Sequence, residues 1–286
     1  MYLKKNGIEI QTLALPGGGT SAFSMYMGLL KDIDLDALTF DLVVSSAGAL
    51  WFGEALCRKL QTNTESDERI NRIKNIQKDI LNVDLVSLLE SEHETVICSK
   101  EIDTMREIYS CLDNIRIQDL KNLCNDRLIR FAVSEINEDT MLYEPLIIDE
   151  TNSADMFVFD VILASCSLPL IFPSVSLTVN GQVKQCLDGD MCDYATLIVS
   201  DNYTVVRAKA CFSSNLYNNF KTKIPIIDNL LKHVTFVVLR GLHKTWTGHM
   251  VLHDCVHSID TPMWDEDLYK TGVQVFEDNF TFEKTD

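Results

Sequence analysis

The sequence is poor in positive charge and has no run of lysine or arginine. Its 286 residues carry 25 Lys and Arg against 42 Asp and Glu, which gives a formal net charge of −17. Because such a chain cannot neutralise a phosphate backbone, we expect no nucleic-acid partner. Docking on anionic membranes by charge is disfavoured for the same reason. If the chain binds a lipid, it would have to do so through apolar contacts, either at a transient membrane or micelle interface or with the lipid as a monomer.

Long apolar runs, paired cysteine spacings and a secretory signal are also missing. The longest apolar region, residues 156–177, contains Asp160 and two prolines and is not a credible membrane span. The nine cysteines are scattered, and residues 1–7 are short and polar. Free thiols in a reducing compartment are therefore the better interpretation. We expect a cytoplasmic protein, and the sequence leaves its oligomeric state open.

Two strand–turn–helix patterns stand near the start of the chain. In the first, an apolar strand at residues 13–15 leads into Gly17–Gly19, and apolar residues follow at helical spacing. In the second, residues 40–44 lead into Ser45–Gly48 and then into a mostly apolar helix. Consecutive glycines let backbone N–H groups face a cavity, and a serine among small residues at such a turn is the layout of a nucleophile elbow. The two patterns together predict acyl transfer.

A candidate general base lies far downstream, at the end of a predicted hairpin. Asn180-Gly181 is typical of a two-residue turn between strands at residues 175–179 and 182–187. Asp188 and Gly189 follow the second strand directly. A carboxylate at a strand end can take the proton of a serine hydroxyl if the fold brings the two groups within hydrogen-bond reach.

These motifs, in this order, resemble those of the patatin-like phospholipase family, whose pattern is a glycine-rich oxyanion loop, then Gly-x-Ser-x-Gly, then Asp-Gly-Gly or Asp-Gly-Ala. Ala164–Pro173 is similar to the family's Ala-Ser-x-x-x-Pro-x-x-Phe-x-Pro stretch, and Leu268–Gly272 looks like its closing helix. The resemblance implies a single domain over residues 8–280, with a helical acidic insertion around residues 62–125. It also implies an α/β three-layer sandwich, with a central mixed or largely parallel sheet flanked by helices.

The resemblance further implies a mechanism. Ser46 matches the nucleophile and Asp188 the base of a Ser-Asp dyad, which forms an acyl-enzyme and needs no histidine, metal or cofactor. The remaining matches are oxyanion-hole and supporting positions: Gly17, Gly18, Gly19 and Ala47 in the hole, and Gly48 and Gly189 in support. We therefore expect a carboxylic ester hydrolase of the phospholipase A type acting on lipid esters, with phospholipid or lysophospholipid favoured. The alternative is a catalytically inactive member that binds lipid or a protein partner.

Four positions depart from the family pattern. Val44 stands where the first glycine of the elbow is expected, and Ser21 and Ala22 replace a basic residue and a glycine. Asp190 replaces a small residue and places a second carboxylate next to Asp188. These departures leave both residues of the dyad in place.

Other candidates compete for a role in the chemistry. Ser45 is the alternative nucleophile, although Ser46 fits the need for small neighbours better. His249, His253 and His257 have a spacing that would align them on one helix face, where two could share a metal ion. A histidine row without metal, and outside any catalytic triad, is the favoured interpretation. The glycine loop lacks the Gly-Lys-Ser/Thr of a phosphate-binding loop, which disfavours a nucleotide.

The remaining patterns predict the rest of the elements. Isoleucines at residues 70–80 and leucines at residues 85–89 keep helical spacing. Further helices are expected at residues 157–165 and 267–280, and further strands at residues 128–133, 141–143, 204–211 and 234–239.

Overall fold

The computed structural model describes residues 2–61, 67–75, 99–137, 139–140, 142–169, 172–192, 203–212, 249–257 and 265–283. Its strands are β1 (Tyr2–Lys5), β2 (Ile8–Glu9), β3 (Thr12–Leu15), β4 (Asp41–Val44), β5 (Ile129–Asn137), β6 (Leu142–Ile148), β7 (Val175–Val179), β8 (Gln182–Asp188), β9 (Tyr203–Phe212), β10 (His249–His257) and β11 (Phe280–Glu283). Its helices are α1 (Gly19–Leu29), α2 (Ala47–Leu60), α3 (Ser99–Ile108), α4 (Leu120–Leu123), α5 (Glu150–Ser153), α6 (Val158–Ser165) and α7 (Glu266–Asn279), and residues 67–75 are also helical.

The main sheet has eight strands, whose pairings follow the path β10-β9-β3-β4-β5-β8-β7, with β6 also paired to β5. The strands from β10 to β5 pair in parallel, whereas β6, β8 and β7 are antiparallel to their neighbours. Apart from their first residues, Thr12 and Asp41, β3 and β4 are apolar and fully buried, as expected for parallel strands in the interior of a sheet. A small sheet, β11-β1-β2, joins the two ends of the described chain. The expected α/β fold with a mixed sheet flanked by helices is confirmed.

Two strands meet end to end along one edge of β5. β4 runs parallel to residues 129–131 of β5, and β8 runs antiparallel to residues 133–135. The opposite edge of β5 is taken by β6, which pairs with residues 131–137. β4 and β8 therefore share one edge and point at each other, and their C-terminal ends meet beside Ala132. This arrangement brings together Ser46 and Asp188, which are distant in the sequence.

Helices pack closely on the first strand–turn–helix unit. α1 lies against α7, where a Cβ added at Gly28 would be 1.9 Å from the carbonyl oxygen of Tyr269 and one at Gly272 would be 2.0 Å from that of Met25. In α2, the ring of Phe52 meets that of Phe131 edge-on at 5.6 Å. None of the helices in the described part of the chain is both long and apolar enough to cross a membrane.

Several sequence predictions are confirmed. The hairpin β7–β8 turns at Asn180 and Gly181, with φ values of 50° and 76°. The helices expected near residues 157–165 and 267–280 are α6 and α7, and the strand expected near residues 204–211 is β9. The strand expected at residues 141–143 extends through β6, an edge strand that accommodates Pro145. The helical leucines at residues 85–89 and the strand at residues 234–239 lie outside the described residues.

One prediction is wrong. His249, His253 and His257 do not lie on a helix, because the segment is strand β10, paired in parallel with β9. A spacing of four residues fits the twofold period of a strand as well as one turn of a helix. Four residues of strand span about 13 Å along the chain, whereas four residues of helix span about 6 Å, so the close spacing that a helix would give these positions is absent.

Candidate active site

Ser46 occupies a strained turn between β4 and α2. Its backbone has φ 49° and ψ −116°, a combination that a residue with a side chain rarely adopts. Such strain costs of the order of 1–3 kcal/mol and persists only where the surroundings enforce it. Here the amide of Ser46 donates to both the carbonyl oxygen and the hydroxyl of Ser165, at 3.1 and 3.0 Å. The turn puts Ser46 at the start of α2, where the helix dipole favours negative charge.

Two glycines permit the close packing that this turn needs. A Cβ added at Gly48 would lie 1.9 Å from the carbonyl oxygen of Leu15 on β3. A Cβ at Gly189 would lie 2.1 Å from the carbonyl oxygen of Ala132 and 2.6 Å from the hydroxyl of Ser45. The first turn of α2 and the end of β8 therefore both require a residue without a side chain.

The glycine loop lies against Ser46. A Cβ added at Gly17 would be 2.7 Å from the Cβ of Ser46. Gly18 precedes the first residue of α1, and Gly19 begins that helix with φ 67°, in the left-handed region that favours glycine. The hydroxyl of Tyr26, further along α1, donates to the carbonyl oxygen of Pro16 at 2.7 Å and so fixes the entry to the loop. Ala47, the other expected oxyanion residue, is the first residue of α2.

Asp188 is fully buried at the end of β8. Its amide donates to the carbonyl oxygen of Ser167 at 2.9 Å, and its own carbonyl oxygen accepts the hydroxyl of Ser134 at 2.9 Å. One carboxylate oxygen accepts the amide of Asp190 at 2.8 Å. Both the backbone and the side chain of Asp188 are thus held in place beside the Ser46 turn.

A second serine–carboxylate pair stands in the same place. The hydroxyl of Ser45, which is fully buried, donates to Oδ1 of Asp190 at 2.8 Å. The other carboxylate oxygen of Asp190 would be 2.6 Å from a Cβ added at Gly17. Sequence reasoning placed Asp190 near Asp188 but missed its bond to Ser45. The sequence feature that could have indicated this bond was a carboxylate at position 190, where the family pattern has a small residue.

The end of α6 and the segment that follows it contact both the Ser46 turn and the end of β8. Ser165 accepts the amide of Ser46, as described above, and its hydroxyl donates to the carbonyl oxygen of Ala132 at 2.7 Å. Two residues on, the carbonyl oxygen of Ser167 holds Asp188. The sequence pattern Ala164–Pro173 indicated that this segment matters, but not that it positions both residues of the expected dyad.

Cys166 also contacts the turn, with its thiol 3.1 Å from the carbonyl oxygen of Ser46. Desolvation, and then the negative charges of Asp188 and Asp190, hold the pKa of this thiol well above its ordinary value. The thiol therefore stays protonated near neutral pH and acts as a hydrogen-bond donor, not as a thiolate nucleophile. In the part of the chain that the structure describes, no group of three or more His, Cys, Asp or Glu residues could hold a metal ion.

No model of a known protein family matches the chain, and no curated protein matches it. Its fold has low similarity to solved structures. The heterodimeric complex ExoU–SpcU from the type III secretion system of Pseudomonas aeruginosa aligns over 94% of this chain and 50% of that chain, at 12% identity and a TM-score of 0.40. The type III effector protein ExoU aligns over 82% of this chain and 53% of that chain, at 14% identity and a TM-score of 0.33. The chain spans about half the length of these structures.

Proposed function

We propose that the protein is a serine acyl hydrolase that cleaves lipid carboxylic esters, with Ser46 as nucleophile and Asp188 as base. The observation that carries this proposal is the strained backbone of Ser46, φ 49° and ψ −116°, at the start of α2. Strain of this kind is found at functional sites, and a serine turned out of a strand end in this way matches a nucleophile elbow. The neighbouring Gly17 and Asp188 supply the loop and the carboxylate that such a nucleophile needs.

In the proposed reaction, the Ser46 hydroxyl oxygen attacks the ester carbonyl carbon while its proton passes to the Asp188 carboxylate. The resulting oxyanion is stabilised by backbone N–H groups of Gly17–Gly19 and Ala47 and by the dipole of α2. Collapse of the intermediate breaks the carbon–oxygen bond of the ester, and the leaving alcohol takes the proton from Asp188. Water then attacks the acyl-enzyme, again with Asp188 as base, and restores the Ser46 hydroxyl.

Burial favours Ser46 over Ser45 as the nucleophile. The Ser45 side chain is fully enclosed and already bonded to Asp190, whereas Ser46 retains 8% exposure at the turn. A substrate carbonyl must reach the attacking oxygen at about 3 Å. The enclosed hydroxyl of Ser45 offers no such approach.

The resemblance to the patatin-like phospholipases supports lipid esters as substrates, with phospholipid or lysophospholipid favoured. The acidic chain would meet them at a transient membrane or micelle interface through apolar contacts. Five cysteines in the described residues are free thiols: Cys57, Cys111, Cys124, Cys166 and Cys186. Free thiols suit the reducing cytoplasm, which we propose as the location.

A fluorophosphonate probe tests the nucleophile directly. We expect a covalent adduct that peptide mapping assigns to Ser46, and its loss in Ser46→Ala together with a fall of roughly 10³-fold or more in short-chain ester hydrolysis. Ser45→Ala should still form the adduct on Ser46. A wild-type protein that is neither labelled nor hydrolytic would favour the alternative, an inactive relative that binds lipid or a protein partner.

A further inference from the structure

The Asp190 carboxylate lies at the reacting centre of the proposed site. One of its oxygens is 2.6 Å from the point where a Cβ on Gly17 would stand, and the Cβ of Ser46 is 2.7 Å from that same point. Since both lie so close to one point, the carboxylate is a near neighbour of the nucleophile and of the oxyanion loop. In the family that the sequence resembles, a small residue stands at this position, so the charge is a property of this chain.

Asp190 is held in this position from two directions. Its Oδ1 accepts the hydroxyl of the buried Ser45, and its amide donates to Oδ1 of Asp188, each at 2.8 Å. It also belongs to the short 3-10 turn Gly189–Met191, whose first residue packs against Ala132 with no room for a side chain. Rotating the carboxylate away would break its bond to Ser45, and moving the backbone would break the bond to Asp188. The carboxylate is thus a fixed part of the wall beside Ser46.

A fixed negative charge here acts on the reaction in a definite direction. The oxyanion of the tetrahedral intermediate would form within several ångströms of the Asp190 carboxylate, and two like charges at about 5 Å repel appreciably even at an effective dielectric constant of about 20. The repulsion slows hydrolysis of a neutral ester and slows that of an anionic ester further. A substrate that carries a positive charge near its carbonyl carbon would offset the repulsion and gain an ion pair.

We propose that Asp190 is a specificity-determining residue that suits the site to acyl esters carrying a cationic group, such as a quaternary ammonium, close to the reacting carbonyl. The inference rests on the proposed function and narrows its substrate class. Ser45 is a positioning residue in this arrangement, since it acts by holding the carboxylate of Asp190.

Three hexanoate esters that differ in charge test the proposal. Hexanoylcholine is cationic, 3,3-dimethylbutyl hexanoate is its neutral isostere, and 3-(hexanoyloxy)propanoate is anionic. With release of hexanoate as the readout, we expect kcat/KM of the wild type to fall in that order, by roughly 10-fold or more between the first two. Asp190→Asn should bring the cationic-to-neutral ratio close to one and raise the rate on the neutral ester, and Asp190→Glu should retain the preference.

Matched controls separate local charge from other effects. Asp32→Asn makes the same charge change at an exposed position beyond the C-terminal end of α1, away from Ser46, and should leave the ratio unchanged. Asp190→Gly restores the small residue and serves if the Asn variant does not fold. An unchanged ratio in both Asp190 variants, with Ser46 still labelled by fluorophosphonate, would overturn this inference alone. Absence of labelling in the wild type and in both variants would overturn the proposed function with it.

Discussion

Strand β8 runs between two turns whose backbones share an unusual feature. At its start, Asn180 has φ 50°, and at its end it meets the turn at Ser46, where φ is 49°. In the hairpin, asparagine and glycine adopt this conformation at little cost, so the turn follows from its own residues. At Ser46 the conformation is costly, and it is enforced by contacts with Leu15, Ala132 and Ser165, which are far away in the sequence.

The difference teaches that nearly the same φ value has different causes in the two turns. The hairpin turn follows mainly from its own two residues, and the amide of Asn180 also donates to the carbonyl oxygen of Asn152 at 2.8 Å. The Ser46 turn exists only when three separate segments pack around it, as expected for a costly conformation that its surroundings enforce. Variants at matched positions of the two turns should therefore differ in activity, in stability, or in both.

The largest expected difference concerns the two ends of β8. Asp188→Asn should lower kcat/KM for a short-chain ester by roughly 10³-fold, because an amide cannot accept the serine proton and a general base contributes about 10²- to 10⁴-fold. Gln182→Ala, at the exposed hairpin end, should leave kcat/KM unchanged. Steady-state kinetics of the two purified variants checks this, and comparable losses in both would remove Asp188 from its proposed role.

Replacing a glycine by alanine should lower stability more beside the Ser46 turn than in the hairpin turn. Gly48→Ala places a methyl 1.9 Å from the backbone oxygen of Leu15 and should lower the free energy of unfolding by about 3 kcal/mol. Gly181→Ala has nothing within 4 Å of its new methyl and suffers only the cost of φ 76°, about 1 kcal/mol. Urea denaturation measures both values. If the two losses were equal, the packing around α2 would not be what makes the Ser46 turn demanding.

The hydroxyl of Ser165 should matter more than its counterpart near the hairpin. Ser165→Ala removes a group that bonds to both Ser46 and Ala132, so we expect a loss of about 1–2 kcal/mol in unfolding free energy and about 10-fold slower fluorophosphonate labelling. Ser153→Ala removes one bond of 3.3 Å to the carbonyl oxygen of Thr178 on β7. That variant should leave the labelling rate at its wild-type value, and slow labelling in it would point to a general loss of stability instead.

The smallest expected change in the free energy of unfolding is an increase. Ser46→Gly removes the side chain that makes φ 49° costly and should raise the free energy of unfolding by about 1 kcal/mol while abolishing hydrolysis. Asn180→Gly should change stability by less than about 0.5 kcal/mol, since asparagine already tolerates this conformation. Thermal unfolding at matched conditions gives both numbers. A destabilised Ser46→Gly protein would mean that the turn stores no strain.

The same contrast explains what the sequence could predict. The hairpin could be placed to the residue because Asn180-Gly181 sets its own conformation. Ser46 and Asp188 could be named as candidates from strand–turn patterns and the family resemblance, and their roles stay predictions. The bond from Ser45 to Asp190 could not be predicted, because it joins residues 145 positions apart through the meeting of β4 and β8. The histidine segment was misassigned because its spacing fits both a helix and a strand. The boundaries at residues 8–280 and the insertion at residues 62–125 stay predictions.

The packing of α1 against α7 bears on when the glycine loop becomes fixed in place during synthesis of the chain. The glycine loop leads into α1, and α1 is braced by the helix that follows Asp265, whose amide bonds to Ser24 across 241 residues of sequence. A nascent chain carries the loop and Ser46 long before α7 has been synthesised, because Ser24 and Asp265 lie 241 residues apart. Contacts of such long sequence separation form late and slowly. A chain that has not yet reached α7 would therefore hold the glycine loop beside Ser46 without the support of that helix.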